Sequence, residues 1–410
     1  KITALIREYT RPVAACCSAI DQVIYDNNLK RYGFDLSINY YNQFPDTFAA
    51  WRAGIPYRLG DSARILTAWM NNLRVFRRWN DLTRHEVEFN LDLLQPLGIE
   101  STSIKPQLRV NPRALEGIGD GDFLVGVHIG AGGSHNKSWN NVGYADVINW
   151  LVEKKNAKVV LTGADDAAEK AAKILLLCKT KPLDLVGKLP LAELIALTSR
   201  YRFYFGNDTG PTHLAAALGI PLVVLFLSKR AKPLRWGPWG TRHLVVKNFS
   251  QCQKTCTPPE CKSDIVCTEE VNPSEVIAAC EKVMAGGGVT GGQDALYHWC
   301  QRSFSIAILH DSGTEARAQQ LLALLQAGGY HAYPTQEKDP RKLLDLFIKY
   351  DTSVIHQVDN RATAAVLLAQ QMTGSYLSNR ALLVKDKGEA FRDAKELADL
   401  YINKFRSTVL

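Results

Sequence analysis

The sequence has no uninterrupted apolar run approaching the ~20 residues that a membrane-spanning helix needs, and no signal peptide opens it. The cytoplasm is therefore the expected compartment. No nucleic-acid-binding motif is present. A Walker-type phosphate loop is excluded by spacing, because no Gly-Lys-Ser/Thr follows four residues after a glycine. A nicotinamide dehydrogenase would show Gly-x-Gly-x-x-Gly with an acid about 20 residues on, and neither 130–133 nor 206–210 has that form. The nine cysteines are too few and too scattered for a disulfide scaffold. What remains is an ordinary globular composition, 46% hydrophobic and 22% charged, spread over 410 residues. That length implies two or three domains.

The net charge of +8 is unevenly placed. Arg52, Arg58, Arg64, Arg74, Arg77, Arg78 and Arg84 crowd the first hundred residues, with Trp51 and Trp79 among them. A basic, aromatic-studded region suits an anionic partner such as a phosphorylated glycolipid, a membrane surface or a nucleic acid. A solvated face of helical arginines explains the charge equally well. Four cysteines, Cys252, Cys256, Cys261 and Cys267, fall close together. They read as a structural tetrahedral zinc or iron site, or else as reduced surface thiols, since the paired CxxC of a zinc ribbon is missing.

Strands alternate with helices throughout, which argues for parallel sheets with helices on both faces. The sequence opens at Lys1 inside a strand-like stretch, Ile2–Ile6, and further strands are expected within 19–25 and 34–39. Residues 53–60 read as a helix end, a turn and a strand, and His85–Leu94 as a helix. Glu100–Gly121 is polar and proline-punctuated, the expected linker between a first domain at 1–110 and a second at 122–284. In the second, Leu124–Ile129 is an apolar strand leading into Gly130-Ala131-Gly132-Gly133, then Lys137 and Trp139. Glycines after a strand let backbone approach a ligand, and a nearby lysine can meet a diphosphate as a mobile point charge. Lys158–Thr162 is the next strand, followed by Asp165, Asp166 and Glu169 at the start of a helix. A carboxylate there could accept both ribose hydroxyls of a nucleotide, or simply favour the helix N-terminus.

Residues 201–219 organise the rest. Tyr201–Phe205 suits a buried strand, and Gly206-Asn207-Asp208-Thr209-Gly210-Pro211-Thr212-His213 is a tight turn with Asp208 or Thr209 placed to cap the helix. Leu214–Leu218 buries small side chains, and Gly219 ends the helix. Such a turn aims free amides and a positive helix end at whatever lies above the sheet, and a phosphate is the natural guest. Pro221–Leu227 is a buried strand, and the basic, aromatic exit at 228–240 could close over a sugar, face an acceptor or form a tryptophan-anchored surface loop. A glycine-rich stretch at 285–293 reads as a flexible linker. Beyond it a small α/β domain, 303–410, has strands at 304–309, 331–333 and 353–356, and helices at 315–326, 341–349 and 362–371. His310-Asp311-Ser312-Gly313 after its first strand could bind an anion, or form a plain turn.

The stretch Asp208-Thr209-Gly210-Pro211-Thr212-His213-Leu214-Ala215-Ala216-Ala217, with the Gly130–Trp139 loop and Leu185-Val186-Gly187-Lys188-Leu189-Pro190, resembles the ADP-heptose:lipopolysaccharide heptosyltransferases, glycosyltransferase family nine. The resemblance covers about Lys1–Met284. It implies the two-domain GT-B architecture of paired Rossmann-like halves, here without the family's first strand and the loop bearing its general base, for which this sequence has no position. It also implies donor binding by Lys137, Glu169, Gly187, Asp208, Thr209, Gly210 and His213, with Asp208 and Lys137 closest to the chemistry. The implied reaction is an inverting transfer of heptose from ADP-heptose to an anionic glycolipid acceptor, a core sugar of lipopolysaccharide, at the inner membrane, with no cofactor or metal in the chemistry and no nucleic acid as partner. Its alternatives are a non-catalytic nucleotide-sugar-binding or scaffold relative, a transferase using another nucleotide sugar or acceptor, and a metal-dependent interaction module built on the cysteines.

Overall fold

The computed structural model describes residues 1–41, 43–77, 84–100, 105–112, 118–119, 121–132, 137–228, 231–247, 271–290, 305–310, 313–328, 330–336, 354–357, 382–386 and 390–407. The first domain runs β1 (Thr3–Leu5), α1 (Arg11–Ala15), β2 (Gln22–Ile24), β3 (Leu36–Asn39), α2 (Phe44–Arg52), β4 (Tyr57–Asp61), α3 (Ile65–Ala68), β5 (Leu73–Val75) and α4 (Glu86–Asp92). Its strands are parallel, but they form two pieces rather than one sheet: β1 with β2, and β3 with β4 and β5. No described strand lies between the pieces to carry the ladder across. Asp61, fully buried at the end of β4, accepts from the amides of Ala63 (2.7 Å) and Arg77 (3.2 Å), which fixes the turns after β4 and β5.

The second domain is β6 (Leu124–His128), α5 (Asn141–Lys155), β7 (Lys158–Thr162), α6 (Ala168–Leu177), β8 (Leu183–Asp184), α7 (Leu191–Thr198), β9 (Phe203–Asn207), α8 (Gly210–Ala217), β10 (Leu222–Phe226), α9 (Pro233–Trp236), β11 (His243–Lys247) and α10 (Pro273–Met284). All six strands are parallel, in the order β8–β7–β6–β9–β10–β11. The chain works outward from β6 on one side, then returns to β9 and works outward on the other. Every residue of β6, β9, β10 and β11 is buried, as a parallel sheet covered on both faces requires. Local signals agree with this placement. Asn140 caps α5 through the Gly143 amide (2.6 Å), and Gly219 adopts the left-handed conformation (φ +75) that stops the chain after α8.

The third domain is β12 (Ser305–Leu309), α11 (Glu315–Ala327), β13 (His331–Thr335), β14 (Val354–Gln357), β15 (Leu382–Lys385) and α12 (Ala394–Ser407), a parallel sheet in the order β13–β12–β14–β15. The helices expected at 341–349 and 362–371 lie outside the described residues, and β15 and α12 had no counterpart in the sequence reading. One buried apolar cluster runs from Leu124, Tyr204 and Leu222 of the second domain to Ile306, Leu321 and Tyr401 of the third. The described part of the glycine-rich linker is also pinned. Val289 and His243 exchange two backbone hydrogen bonds (2.9 and 3.0 Å), so composition alone misjudged a segment that pairs with the edge of β11.

The first and second domains meet at α1 and α7, and at a second, polar contact around α4. His85 caps α4: its Nδ1 accepts from the Val87 amide (3.1 Å), so the proton sits on Nε2, which donates to the Gly237 carbonyl (2.8 Å). The ring lies 4.6 Å from that of Trp239. Glu86 receives Arg77 at 3.0 Å on one oxygen and Arg235 at 2.7 Å on the other. Arg235, Gly237 and Trp239, in the described part of the 228–240 exit, thus face the first domain. Replacing Glu86 with Ala leaves the guanidinium of Arg77, which is 1% exposed, without its carboxylate. We expect Glu86→Ala to cost roughly 3 kcal/mol in urea denaturation, and a loss below about 1 kcal/mol would overturn this account. Burial lowers His85 to about 4. The unfolded chain, with an ordinary value near 6.5, then binds the extra proton first, so stability is full above that value and is lost as pH falls toward 4. By pH 5 the loss through His85 is about 2 kcal/mol. A Tm that falls between pH 7 and 5, less steeply in His85→Gln, is the expected result.

Candidate functional site

Open parallel sheets hold ligands outside the carboxyl ends of their strands, at the point where strand order reverses. Here that point lies between β6 and β9. The loop after β6 and the turn from β9 into α8 meet there, and these are the two stretches that the sequence reading singled out.

Asn207, the last residue of β9, joins the two. Its carboxamide is fully buried, donates to the Gly130 carbonyl (3.0 Å) and accepts from the Tyr144 hydroxyl (2.8 Å). Thr212 in the first turn of α8 donates to the Asn207 carbonyl and lies 3.1 Å from the Tyr204 hydroxyl. The sequence reading did not assign Asn207 a role. Its signal was a carboxamide at the end of a strand buried at every position, where a polar side chain must find partners. Gly130 has a steric requirement: a Cβ there would sit 2.6 Å from Nε2 of buried His128. Burial lowers His128 to about 4, and its Nδ1 lies 3.1 Å from the Thr162 hydroxyl.

On this scaffold Lys137 reaches from the first loop to the second. Its ammonium donates to the Asp208 carboxylate and to the Asp208 carbonyl, each at 3.0 Å. His213, one turn into α8, places Nε2 3.6 Å from the other carboxylate oxygen, a contact longer than a normal hydrogen bond. Burial alone would raise the Asp208 carboxyl; the His213 ring and the Lys137 ammonium outweigh it and hold the group below the usual carboxylate range. The carboxylate is therefore charged at neutral pH.

Asp208 and Thr209 do not cap α8 in the expected way. Thr209 occupies the N-cap position, but its side chain makes no bond to the helix amides and turns back to the Asn207 carbonyl (3.4 Å). Asp208 spends its carboxylate on Lys137 and His213. Among the described hydrogen bonds none uses the amides of Thr209 or Gly210, and a Cβ on Gly210 would meet open space. The positive end of α8 consequently points two free donors into the crevice beside an ammonium.

The other expected residues fall as follows. Gly187, in the left-handed conformation (φ +71), donates its amide to the Gly163 carbonyl (3.0 Å), which ties the turn after β8 to the turn after β7. A Cβ on Gly187 would lie 2.5 Å from Oδ1 of Asp165, so the carboxylate packed on this glycine is Asp165. Glu169 lies in the first turn of α6, with its side chain 82% exposed and paired with Lys173. Trp139 is core: it is fully buried, donates to the Val271 carbonyl (3.2 Å) and packs edge-on against Tyr144 and Phe205. Cys252, Cys256, Cys261 and Cys267, with Asp311 and Ser312, lie outside the described residues. Among the described residues no group of three or more His, Cys, Asp or Glu could hold a metal ion.

Comparison with known proteins bears on this geometry. The profile of glycosyltransferase family 9 (heptosyltransferase) matches residues 25–264, more than half of the chain, including both site loops. Lipopolysaccharide heptosyltransferase 3 of Escherichia coli is 30% identical over 210 residues; the match spans 49% of this chain and 60% of that relative's length. Two solved structures share the fold over 70% of this chain and 89% of theirs: a family 9 glycosyl transferase of Veillonella parvula (TM-score 0.59, 22% identity) and the ADP-heptose lipopolysaccharide heptosyltransferase II of E. coli (TM-score 0.55, 19% identity). The first two domains have the expected GT-B architecture, and the chain belongs to glycosyltransferase family 9, the heptosyltransferase family.

Proposed function

We propose that this chain is an inverting glycosyltransferase that moves heptose from ADP-heptose to a core sugar of lipopolysaccharide, an anionic glycolipid presented at the cytoplasmic face of the inner membrane. The observation that carries the reading is the convergence of Lys137 with the free amides of Thr209 and Gly210 at the strand-order reversal. A diphosphate is the ligand that uses all three: two fixed donors and one mobile cation.

The donor's diphosphate would lie across the N-terminus of α8, drawing Lys137 from Asp208. Asp208 and His213, on the same turn, then face the sugar side and orient hydroxyls or phosphate oxygens. As the bond from the anomeric carbon to the phosphate oxygen breaks, negative charge builds on the departing ADP, where the helix dipole and ammonium already point. The acceptor hydroxyl attacks that carbon from the opposite face, which inverts its configuration, and gives its proton to a carboxylate base. The residues assigned above serve donor binding and leaving-group stabilisation, not that proton transfer. On the nucleotide side, Asp165 is packed against Gly187 and poised for the ribose hydroxyls, whereas Glu169 would have to leave its pair with Lys173 to reach them.

Calorimetric titration with ADP, UDP, GDP and NAD tests the donor site. Selective ADP binding is expected, and Lys137→Ala and Asp208→Ala should each weaken it at least tenfold, about 1.4 kcal/mol. Unchanged affinity in both folded variants would sink the assignment. Asp165→Ala and Glu169→Ala, titrated with ADP in parallel, should separate the two carboxylates. The larger loss is expected for Asp165, and the reverse order would return the ribose contact to Glu169.

A further inference from the structure

The first domain exposes more large apolar side chains than its own packing explains. Ile65 (86% exposed) and Leu66 (75%) stand on α3, Trp69 (56%) directly follows it, and Phe44 (51%) and Trp51 (43%) stand on α2. They form one surface. Phe44, Phe48, Trp51 and Trp69 follow one another with ring centroids 5.4–5.7 Å apart, so the row crosses from α2 to α3. A contiguous aromatic and aliphatic row of this kind marks an interaction surface rather than scattered exposure.

The charge around it has one sign. Between residues 43 and 76 the exposed charged side chains are Arg52, Arg64 and Arg74, whereas of the two carboxylates Asp46 is half-buried and Asp61 fully buried. Asp46 accepts from Asn27 (3.2 Å) at the amino end of α2, away from Trp69. Arg64 lies over the Tyr41 ring at 5.7 Å, and Tyr41 follows the carboxyl end of β3. The row is therefore continuous with the strand-end edge at which a parallel domain receives its ligand. Tryptophan with aliphatic side chains, rimmed by arginine, is the composition that settles at the headgroup level of an anionic bilayer. Among the described residues no helix is long and apolar enough to cross a membrane.

We infer that the α2–α3 face is a docking surface for an anionic bilayer: Trp51, Ile65, Leu66 and Trp69 enter the headgroup region while Arg52 and Arg64 meet lipid phosphates. The inference rests on the reading of a membrane-borne acceptor and adds where the chain touches the membrane. Docking through this face would bring the carboxyl ends of β3–β5 to the height of a glycolipid's sugars.

Co-sedimentation of the full chain with vesicles tests it, using equal parts phosphatidylglycerol and phosphatidylethanolamine against phosphatidylcholine alone. Binding is expected only to the anionic vesicles and should weaken with added salt. Ile65→Ser with Leu66→Ser, at positions too exposed to disturb folding, should lower partitioning at least tenfold, and Arg52→Gln with Arg64→Gln should flatten the salt dependence. ADP titration of the same variants should be unchanged. Equal vesicle binding by the serine variant, or equal binding of the wild type to both vesicle types, would overturn the inference. So would a wild-type dimer that the serine variant dissociates, since the face would then cover a second copy. Lost ADP binding with vesicle binding intact would instead overturn the transferase reading and leave the docking face standing.

Discussion

The crevice between β6 and β9 depends on the carboxamide of Asn207. A parallel sheet reverses its strand order there and leaves two loops side by side with no ladder between them. Asn207 supplies the missing connection, donating to the Gly130 carbonyl and accepting from Tyr144. Because the group is fully buried, losing either partner would leave an unsatisfied amide in an apolar surround, which costs more than a surface hydrogen bond returns. Lys137 and Asp208 can meet at 3.0 Å because this strap sets the distance between the loops that bear them. Around it, Trp139, Tyr144 and Phe205 fill the space under the first loop, so the site rests on packed aromatic core.

The junction between the first two domains is polar where the site is electrostatic. His85 works as a helix cap and as a donor to the second domain at once, which fixes it in the neutral form with its proton on Nε2. Glu86 holds one arginine from each side. These contacts attach the segment after β10 to the start of α4, so the orientation of the first domain relative to the second is coupled to a few hydrogen bonds.

Much of the site was legible because its residues are contiguous. Gly206 to His213 carries strand end, turn and helix start within eight positions, and the spacing alone places Asp208 and His213 on one side of the turn. Lys137 was legible as a cation after a glycine loop, but its partner was not, since the two lie 71 positions apart. Thr209 shows a limit of local rules: capping propensity is strong for threonine, yet the side chain bonds backward to Asn207 and the helix amides stay free. Asp165 and Glu169 were both visible as acids near a helix start. Only the approach of Gly187, in the turn after β8, shows that Asp165 is the one packed against that glycine. The glycine-rich stretch before the third domain shows the opposite error, because its composition does not report that Val289 bridges to His243 at the start of β11.

Local propensity and periodicity are enough to fix the alternation of strands and helices, the apolar runs that bury β6, β9 and β10, and the residue types that can hold a phosphate. The strand order, the meeting of Lys137 with Asp208, the burial of Trp139, the latch at Glu86 and the exposed row on α2 and α3 were decided by tertiary structure alone. Each depends on which distant backbone segments lie side by side, and side-chain chemistry read along the chain holds no record of that distance.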